Sequence, residues 1–390
     1  MQTAPVHDTD TRIPFARVEL DGGVMGAVMD VLASGWLTAG PQVAAFEQEF
    51  GRLTGAAEAV AVSSCTAALE IALRGLGLRP RAKVLISTMT FCGAVHAIVH
   101  AGCIPVLADV NPRTLMPDEE TTAAARRRAG PIDAMVVTHF AGHPAPIDAL
   151  ASAAGVPIEA VVEDAAHALG TSVDGRAVGT ISRATCFSFY ATKNLPIGEG
   201  GMITTEDAEL ASTARRLRQN GMSADAWRRY LPGSGWRYSV HDDGLKANFT
   251  DLQAAIGRAQ LRSLAGWQAA RAELAAIYDA GLAGVPGIQL PARPAAGGHA
   301  WHLYVIRVGA ASRVSRDHLI AGLSERGIDC SVHFIPIHHH PYFQRLLSSR
   351  QVRGNVHADR AFEEIVSLPL YPSLGAGGVH QVCEAIRDLA

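Results

Sequence analysis

Lysine is scarce in this chain of 390 residues: Lys83, Lys193 and Lys246 are the whole supply. Chemistry that needs a primary amine therefore has three candidates. Lys193 closes the run Phe187-Ser188-Phe189-Tyr190-Ala191-Thr192-Lys193, which reads as a strand giving way to small and hydroxylic residues. Gly198-Glu199-Gly200-Gly201 follows as a glycine-rich turn into the next strand. A lysine held near a pocket at such a strand end can form a Schiff base with a carbonyl, as pyridoxal phosphate chemistry requires. A loop lysine in contact with solvent accounts for the same segment. Lys83, beside Arg79 and Arg81 at a strand start, reads as a solvated flank.

A second run, Val161-Val162-Glu163-Asp164-Ala165-Ala166-His167, ends an apolar strand in an acidic pair. Open α/β sheets hold ligands at that carboxyl edge. A carboxylate placed there can keep a pyridine nitrogen protonated, because a neighbouring negative charge favours the cation. An aspartate capping a helix explains Asp164 equally well. In Ser63-Ser64-Cys65-Thr66-Ala67-Ala68, small residues at a helix start expose backbone N–H groups and a hydroxyl that can cradle phosphate. Thr90-Phe91 follows another strand and places a ring where a planar cofactor could stack, or where a core needs filling. His333 and His338-His339-His340 invite a metal reading. Consecutive histidines on an extended segment point to alternating faces, and no Asp or Cys stands at ligand spacing, so no metal site is expected. Contact with an anionic or hydroxylated substrate is the expected role of His333 and His338.

These residues need a scaffold, and the chain offers an α/β one. Apolar runs at 59–62, 83–87, 105–108, 134–138, 160–163, 184–189 and 201–204 read as strands. Helical stretches at 66–74, 93–101 and 118–128 lie between them, the last with acids at its start and three arginines at its end. That alternation implies a mainly parallel central sheet covered by helices on both faces. From Thr250 a long helical segment to about 282 leads to a smaller C-terminal α+β unit. Its elements are a strand at 301–308, a helix at 315–326, a strand at 329–334 and a final helix. The expected division is 1–250 for the large domain and 251–390 for the small one.

Composition narrows the function classes. With 48% hydrophobic and 18% charged residues, disorder, collagen and coiled coil are excluded. A net charge of −3 gives no general attraction to nucleic acid or anionic membrane. Residues 84–108 carry no Asp, Glu, Lys or Arg, yet Ser87, Gly93, Gly102 and Pro105 break them into strand, helix and strand, so a membrane span is not expected. Six scattered cysteines without a CxxC pair read as reduced thiols of a cytoplasmic protein.

Together these segments resemble the DegT/StrS-type sugar aminotransferases, pyridoxal phosphate enzymes of the aspartate aminotransferase fold (fold type I). Gly35-Trp36-Leu37-Thr38-Ala39-Gly40-Pro41 is similar to the family's N-terminal substrate loop, which includes Thr38. Ser64 to Ala68 resembles its phosphate turn, Glu163 to His167 its pyridine-binding strand end, and Ser188 to Lys193 with Gly198 to Gly201 its Schiff-base segment. Gly244 to Asp251, followed by Gln253-Ala254-Ala255, resembles the segment that reaches the partner subunit's site. His299 to Leu303 and His333 to His338 are also similar to family runs.

The resemblance implies that Lys193 forms the Schiff base and moves the proton, Asp164 pairs with the ring nitrogen, and His167 sits beside the ring hydroxyl. Phe91 would stack on the ring. Thr66, Ala67 and Ser188 would hold the phosphate, joined by Asn248 from the second subunit of a homodimer. Ala247 departs from the aromatic residue that relatives often carry before that asparagine. A histidine at the lysine position would mean sugar dehydration; Lys193 argues against it.

The closest resemblance is to enzymes that aminate C4 of nucleotide-linked keto-sugars, the 4-amino-4-deoxy-arabinose type included. The expectation is transfer from L-glutamate through pyridoxal 5'-phosphate and pyridoxamine 5'-phosphate to such a sugar. An amination of cyclitols or other keto-substrates, or a non-catalytic pyridoxal phosphate-binding regulator, is the alternative. A nucleoside diphosphate needs donors at the site's mouth, and the 227–238 loop supplies Trp227, Arg228 and Arg229 for it.

Overall fold

Alternation of apolar strands with helices builds the larger part of the chain, in a computed structural model that describes residues 12–223, 237–348 and 354–390. The strands are β1 (Glu58–Val62), β2 (Lys83–Ser87), β3 (Ile104–Ala108), β4 (Ala134–Thr138) and β5 (Val161–Asp164). A short ribbon of β6 (Ser172–Val173) and β7 (Arg176–Ala177) precedes β8 (Ala184–Ser188) and β9 (Gly201–Thr205). The main sheet has the order β1-β9-β8-β5-β4-β2-β3. Only β9 runs against its neighbours; the other pairings are parallel.

Successive strand residues point to opposite faces, and both faces are apolar. Val84, Ile86, Val136 and Val162 pack under α3 (Cys65–Gly75), α4 (Cys92–His100) and α7 (Ala208–Leu217). Leu85, Met135, Val137 and Val161 pack under α2 (Pro41–Thr54), α5 (Glu119–Ala129) and α6 (Ile147–Ala154). Local chemistry starts the helices where it should. Ser64 Oγ accepts from Ala67 N at the start of α3, and Asp118 makes a reciprocal capping box with Thr121 on α5. The apolar stretch 84–108 is β2, α4 and β3, and among the described residues no helix is long and apolar enough to cross a membrane.

The expected helix from Thr250 to about 282 is two helices, α8 (Asp251–Leu261) and α9 (Leu264–Leu282). The chain turns at Arg262-Ser263, whose side chains both reach Asp21. The Asp251 carboxylate accepts from Gln42 N and Val43 N in the first turn of α2. Thus α8 sits with the large unit, beside α1 (Val24–Ser34) and α2. A separate core takes up inside α9, from Leu274 onward.

That second core packs α9, α10 (Arg316–Glu325) and α13 (Gly375–Leu389) on an antiparallel sheet of β10 (Ile288–Gln289), β11 (Tyr304–Val308) and β12 (Ile365–Leu368). Between them lie α11 (Pro341–Leu346) and α12 (Val356–Glu364). The strand expected at 329–334 does not form: only Ser331 pairs, with Ser367 of β12. Beyond it the chain leaves the sheet and carries His333 and Phe334 to the cavity described next.

Candidate active site

The carboxyl ends of the parallel strands and the start of β9 meet on one edge of the main sheet. Four of them deliver functional side chains there: Ser64 to Thr66 after β1, Thr90 and Phe91 after β2, Asp164 on β5 and Ser188 on β8. With Lys193 they line a cavity of about 470 Å³, within the usual range for small-molecule sites. The turn that carries Lys193 is fixed from beneath. Phe46, Phe50, Phe187, Phe189 and Phe249 are fully buried there, with ring centroids 5.1 Å apart for Phe50–Phe187 and 5.4 Å for Phe46–Phe189. Gly200 has φ +152°, and a Cβ on it would stand 2.5 Å from the Phe249 ring. A Cβ on Gly201 would stand 2.5 Å from the Ser64 carbonyl carbon, so β9 lies directly against the turn that opens α3.

Burial governs the electrostatics. It pulls the Lys193 ammonium from 10.5 down to about 8, against the opposing pull of the Asp164 carboxylate. It also pushes Asp164 above the usual carboxylate range, against the Ala166 N–H donated to its Oδ1 at 3.1 Å and the charge of Lys193. His167 is held far below its ordinary value by burial, then by Lys193 and His333. Its Nδ1 accepts from Ala141 N at 3.2 Å, which places the imidazole proton on Nε2. His333 is lowered to about 4 by burial, and its Nδ1 pairs with Ser367 Oγ at 2.8 Å.

The strand's period of two separates the acidic pair. While Asp164 faces the cavity, Glu163 accepts from His139 Nε2 at 2.9 Å, Ser182 Oγ at 2.7 Å and Thr185 Oγ1 at 2.9 Å. Burial pushes Glu163 up, but these donors outweigh it and hold the carboxyl below its usual range. Glu163 is thus a buried anchor for β5.

Of the residues singled out in the sequence, Lys193, Asp164, His167, Thr66, Phe91, Ser188 and His333 share the cavity wall. Phe91 is 59% exposed, its ring 6.2 Å from that of Phe334. Ala67 lies one residue behind the wall, its N–H donated to Ser64 Oγ at 3.1 Å. Thr38 and Asn248 are outside the wall; Asn248 bridges Val62 at the end of β1. Trp227, Arg228 and Arg229 lie outside the described residues.

His338, expected to contact substrate, does not share the cavity wall. That side chain is buried away from the wall, between Thr88 Oγ1 at 2.8 Å and Asp359 Oδ1 at 2.7 Å. His302, noted in the sequence only as part of the family-like run 299–303, also lines the wall. Its Nδ1 faces Asn194 Oδ1 at 3.1 Å, and Asn194 Nδ2 donates to Ala300 O at 2.8 Å, so the residue after Lys193 is clamped. A histidine inside an apolar strand run was the available signal.

This donor set fits pyridoxal phosphate. It joins an amine that can lose its proton near neutral pH, a buried carboxylate, a neutral imidazole with a free N–H, and an exposed ring. It also includes the first turn of α3, whose backbone N–H groups suit phosphate. Fold and site define a pyridoxal phosphate-dependent aminotransferase. Residues 19–387 match the model of the DegT/DnrJ/EryC1/StrS aminotransferase family, and the chain belongs to that family.

It is 44% identical over 365 residues to the spore coat polysaccharide biosynthesis protein SpsC of Bacillus subtilis, covering 93% of each chain. Two solved structures show how far the similarity of fold extends. The aminotransferase TlmJ of Streptoalloteichus hindustanus is 34% identical with a TM-score of 0.84, over 96% of this chain and 98% of that one. The pyridoxamine phosphate form of Spr1654 from Streptococcus pneumoniae is 28% identical with a TM-score of 0.88, over 97% and 98%.

Proposed function

We propose that this aminotransferase moves the amino group of L-glutamate to the C4 keto carbon of a sugar carried on a nucleoside diphosphate. It works in the cytoplasm as a homodimer with shared sites. The observation that carries the reading is the meeting of Lys193, Asp164 and His167 in one cavity wall. The sugar is supported by the part of SpsC in spore coat polysaccharide biosynthesis. The dimer is supported by Asn248 and Thr38 lying outside their own chain's cavity wall. On α1, Met25, Met29 and Leu32 form an exposed apolar stripe that a second copy would cover. Free cysteines suit a reducing compartment.

Pyridoxal phosphate, when bound, supplies an electron sink for the pair released when the substrate's C–H bond breaks. The chain's own groups do the rest. Lys193 offers an amine that gives and takes a proton near neutral pH, which suits a general acid–base. With the cofactor bound, Asp164 would keep a proton at the ring nitrogen. His167 would offer its Nε2–H to the ring hydroxyl, Thr66 and Ser188 would hold the phosphate, and Phe91 would lie against the ring. His333, its Nδ1 already taken by Ser367, keeps Nε2 for the substrate. Trp227, Arg228 and Arg229 serve the diphosphate.

The test is a screen of nucleotide-linked keto-sugars and free keto-cyclitols with L-glutamate, read by mass spectrometry and by cofactor absorbance. Amination of a nucleotide-linked sugar, with free uridine or thymidine diphosphate competing, supports the reading. Turnover of free keto-cyclitols alone overturns the nucleotide part. An absorbance spectrum unchanged by glutamate, with no acceptor aminated, overturns catalysis in favour of a regulator.

A further inference from the structure

The histidines at 338–340 do not lie on an extended run. The chain makes a 3₁₀ turn at Ile337–His339, and α12 returns Asp359 to it from 20 residues further on. Nε2 of His338 and Nε2 of His339 each stand 2.7 Å from the same Asp359 Oδ1. Three potential ligand atoms from two elements therefore converge on one point, well separated in sequence from Lys193.

We propose that His338, His339 and Asp359 form a binding site for a divalent transition-metal ion of the zinc class, fastening the 337–339 turn to α12. Two imidazoles and one carboxylate are a donor set that suits zinc, cobalt and nickel, with further positions left for water. The outer partners have the form that metal-bound histidines need. With Nε2 on the ion, the Nδ1–H of His338 is donated to Thr88 Oγ1, 2.8 Å away, fixing tautomer and ring orientation. The backbone holding the ligands is itself tied down. Ile337 N donates to Thr88 O at 2.9 Å, and the Asp109 carboxylate accepts from His357 N and Ala358 N at 2.9 and 2.8 Å in the first turn of α12.

Access is graded as an entry path requires. The His338 side chain is 3% exposed, that of His339 35% and that of Asp359 48%, so the site is closed toward the core and open toward solvent. The same turn is the far end of the segment that brings His333 and Phe334 to the active-site wall, so the ion would steady that segment. A pair of hydrogen bonds to one carboxylate oxygen, with both Nε2 atoms protonated, is the competing account of the same distances.

Titration of the full-length, cofactor-loaded protein with Zn²⁺ by calorimetry and with Co²⁺ by visible spectroscopy separates the two. The proposal expects one strong site per chain, visible d–d bands from Co²⁺, and a Zn²⁺-dependent rise in Tm by mass action. Thr88→Val should weaken binding about 10–100-fold, the usual cost of a lost outer partner. His339→Ala and Asp359→Asn should weaken it more. Asp359→Asn keeps an acceptor oxygen, so its Tm without metal should match the parent. No uptake by the parent protein, or uptake unchanged in both His339→Ala and Asp359→Asn, would overturn the site.

Discussion

Replacing Lys193 by methionine tests whether the cavity is as dry as its geometry implies. Burial takes the ammonium from an ordinary 10.5 to about 8. At about 1.4 kcal/mol per tenfold, that is roughly 3 kcal/mol against the charged amine in the folded chain. Below pH 8 both folded and unfolded chains carry the charge, and the folded state bears the whole cost. Between pH 8 and 10.5 the unfolded chain binds the extra proton, so wild-type stability rises with pH through that window.

Methionine is close in size and has no charge to bury. The cofactor-free Lys193→Met protein should therefore be more stable than the cofactor-free parent by up to about 3 kcal/mol at pH 7. The gap should narrow steadily from pH 8 toward 10. Urea denaturation at one fixed protein concentration, repeated across that range, reads both numbers. A variant no more stable than the parent at pH 7, or a gap that does not change with pH, would refute the reasoning.

Three further outcomes follow from the same geometry. Asp164→Asn keeps the shape but not the charge, so it should retain cofactor weakly and lose at least about 100-fold in kcat; near-parental turnover would remove the role. Glu163→Ala strands His139, Ser182 and Thr185 in the core and should cost about 3–5 kcal/mol of stability in a melt. Because the folded-state pKa of Glu163 is depressed, its contribution is present above the ordinary 4.5 and lost as pH falls below it, so parent and variant should converge in acid. Mixing inactive Lys193→Ala and Asn248→Ala proteins should restore part of the activity through hybrid dimers, and no recovery after confirmed subunit exchange would count against shared sites.

What the sequence reveals divides by distance along the chain. Strands β2 and β4 fall at 83–87 and 134–138 as read, because a strand buried on both faces is an apolar run bounded by turn residues. Lys193, Asp164 and His167 stand out for the same reason: each interrupts such a run. Local pattern says less about residues that meet across the chain. His302 reaches Asn194 across 108 positions, and Asp359 reaches two histidines from another element. The strand expected at 329–334 alternates polar and apolar residues as an edge strand would. It meets β12 only at Ser331, opposite Ser367, before the chain is drawn off to the cavity. The break at Arg262-Ser263 depends on Asp21, which helical periodicity cannot register.

The site's reactivity and its cost to the fold have one source. A dry wall lets the Lys193 amine lose its proton near neutral pH, and the same dryness opposes the charge whenever the proton stays. Asp164 offsets part of that opposition at the expense of its own burial, since both groups are pushed toward neutrality. The remainder must be met by packing. Burying one or two phenylalanine rings, at about 1.5–3 kcal/mol each, is enough to offset the roughly 3 kcal/mol at Lys193. The fully buried Phe46, Phe50, Phe187, Phe189 and Phe249 lie under the turn that holds the lysine. The aromatic floor is enough to meet that cost. It keeps water out from below, and it holds the backbone of the 189–200 turn while the amine above it changes charge.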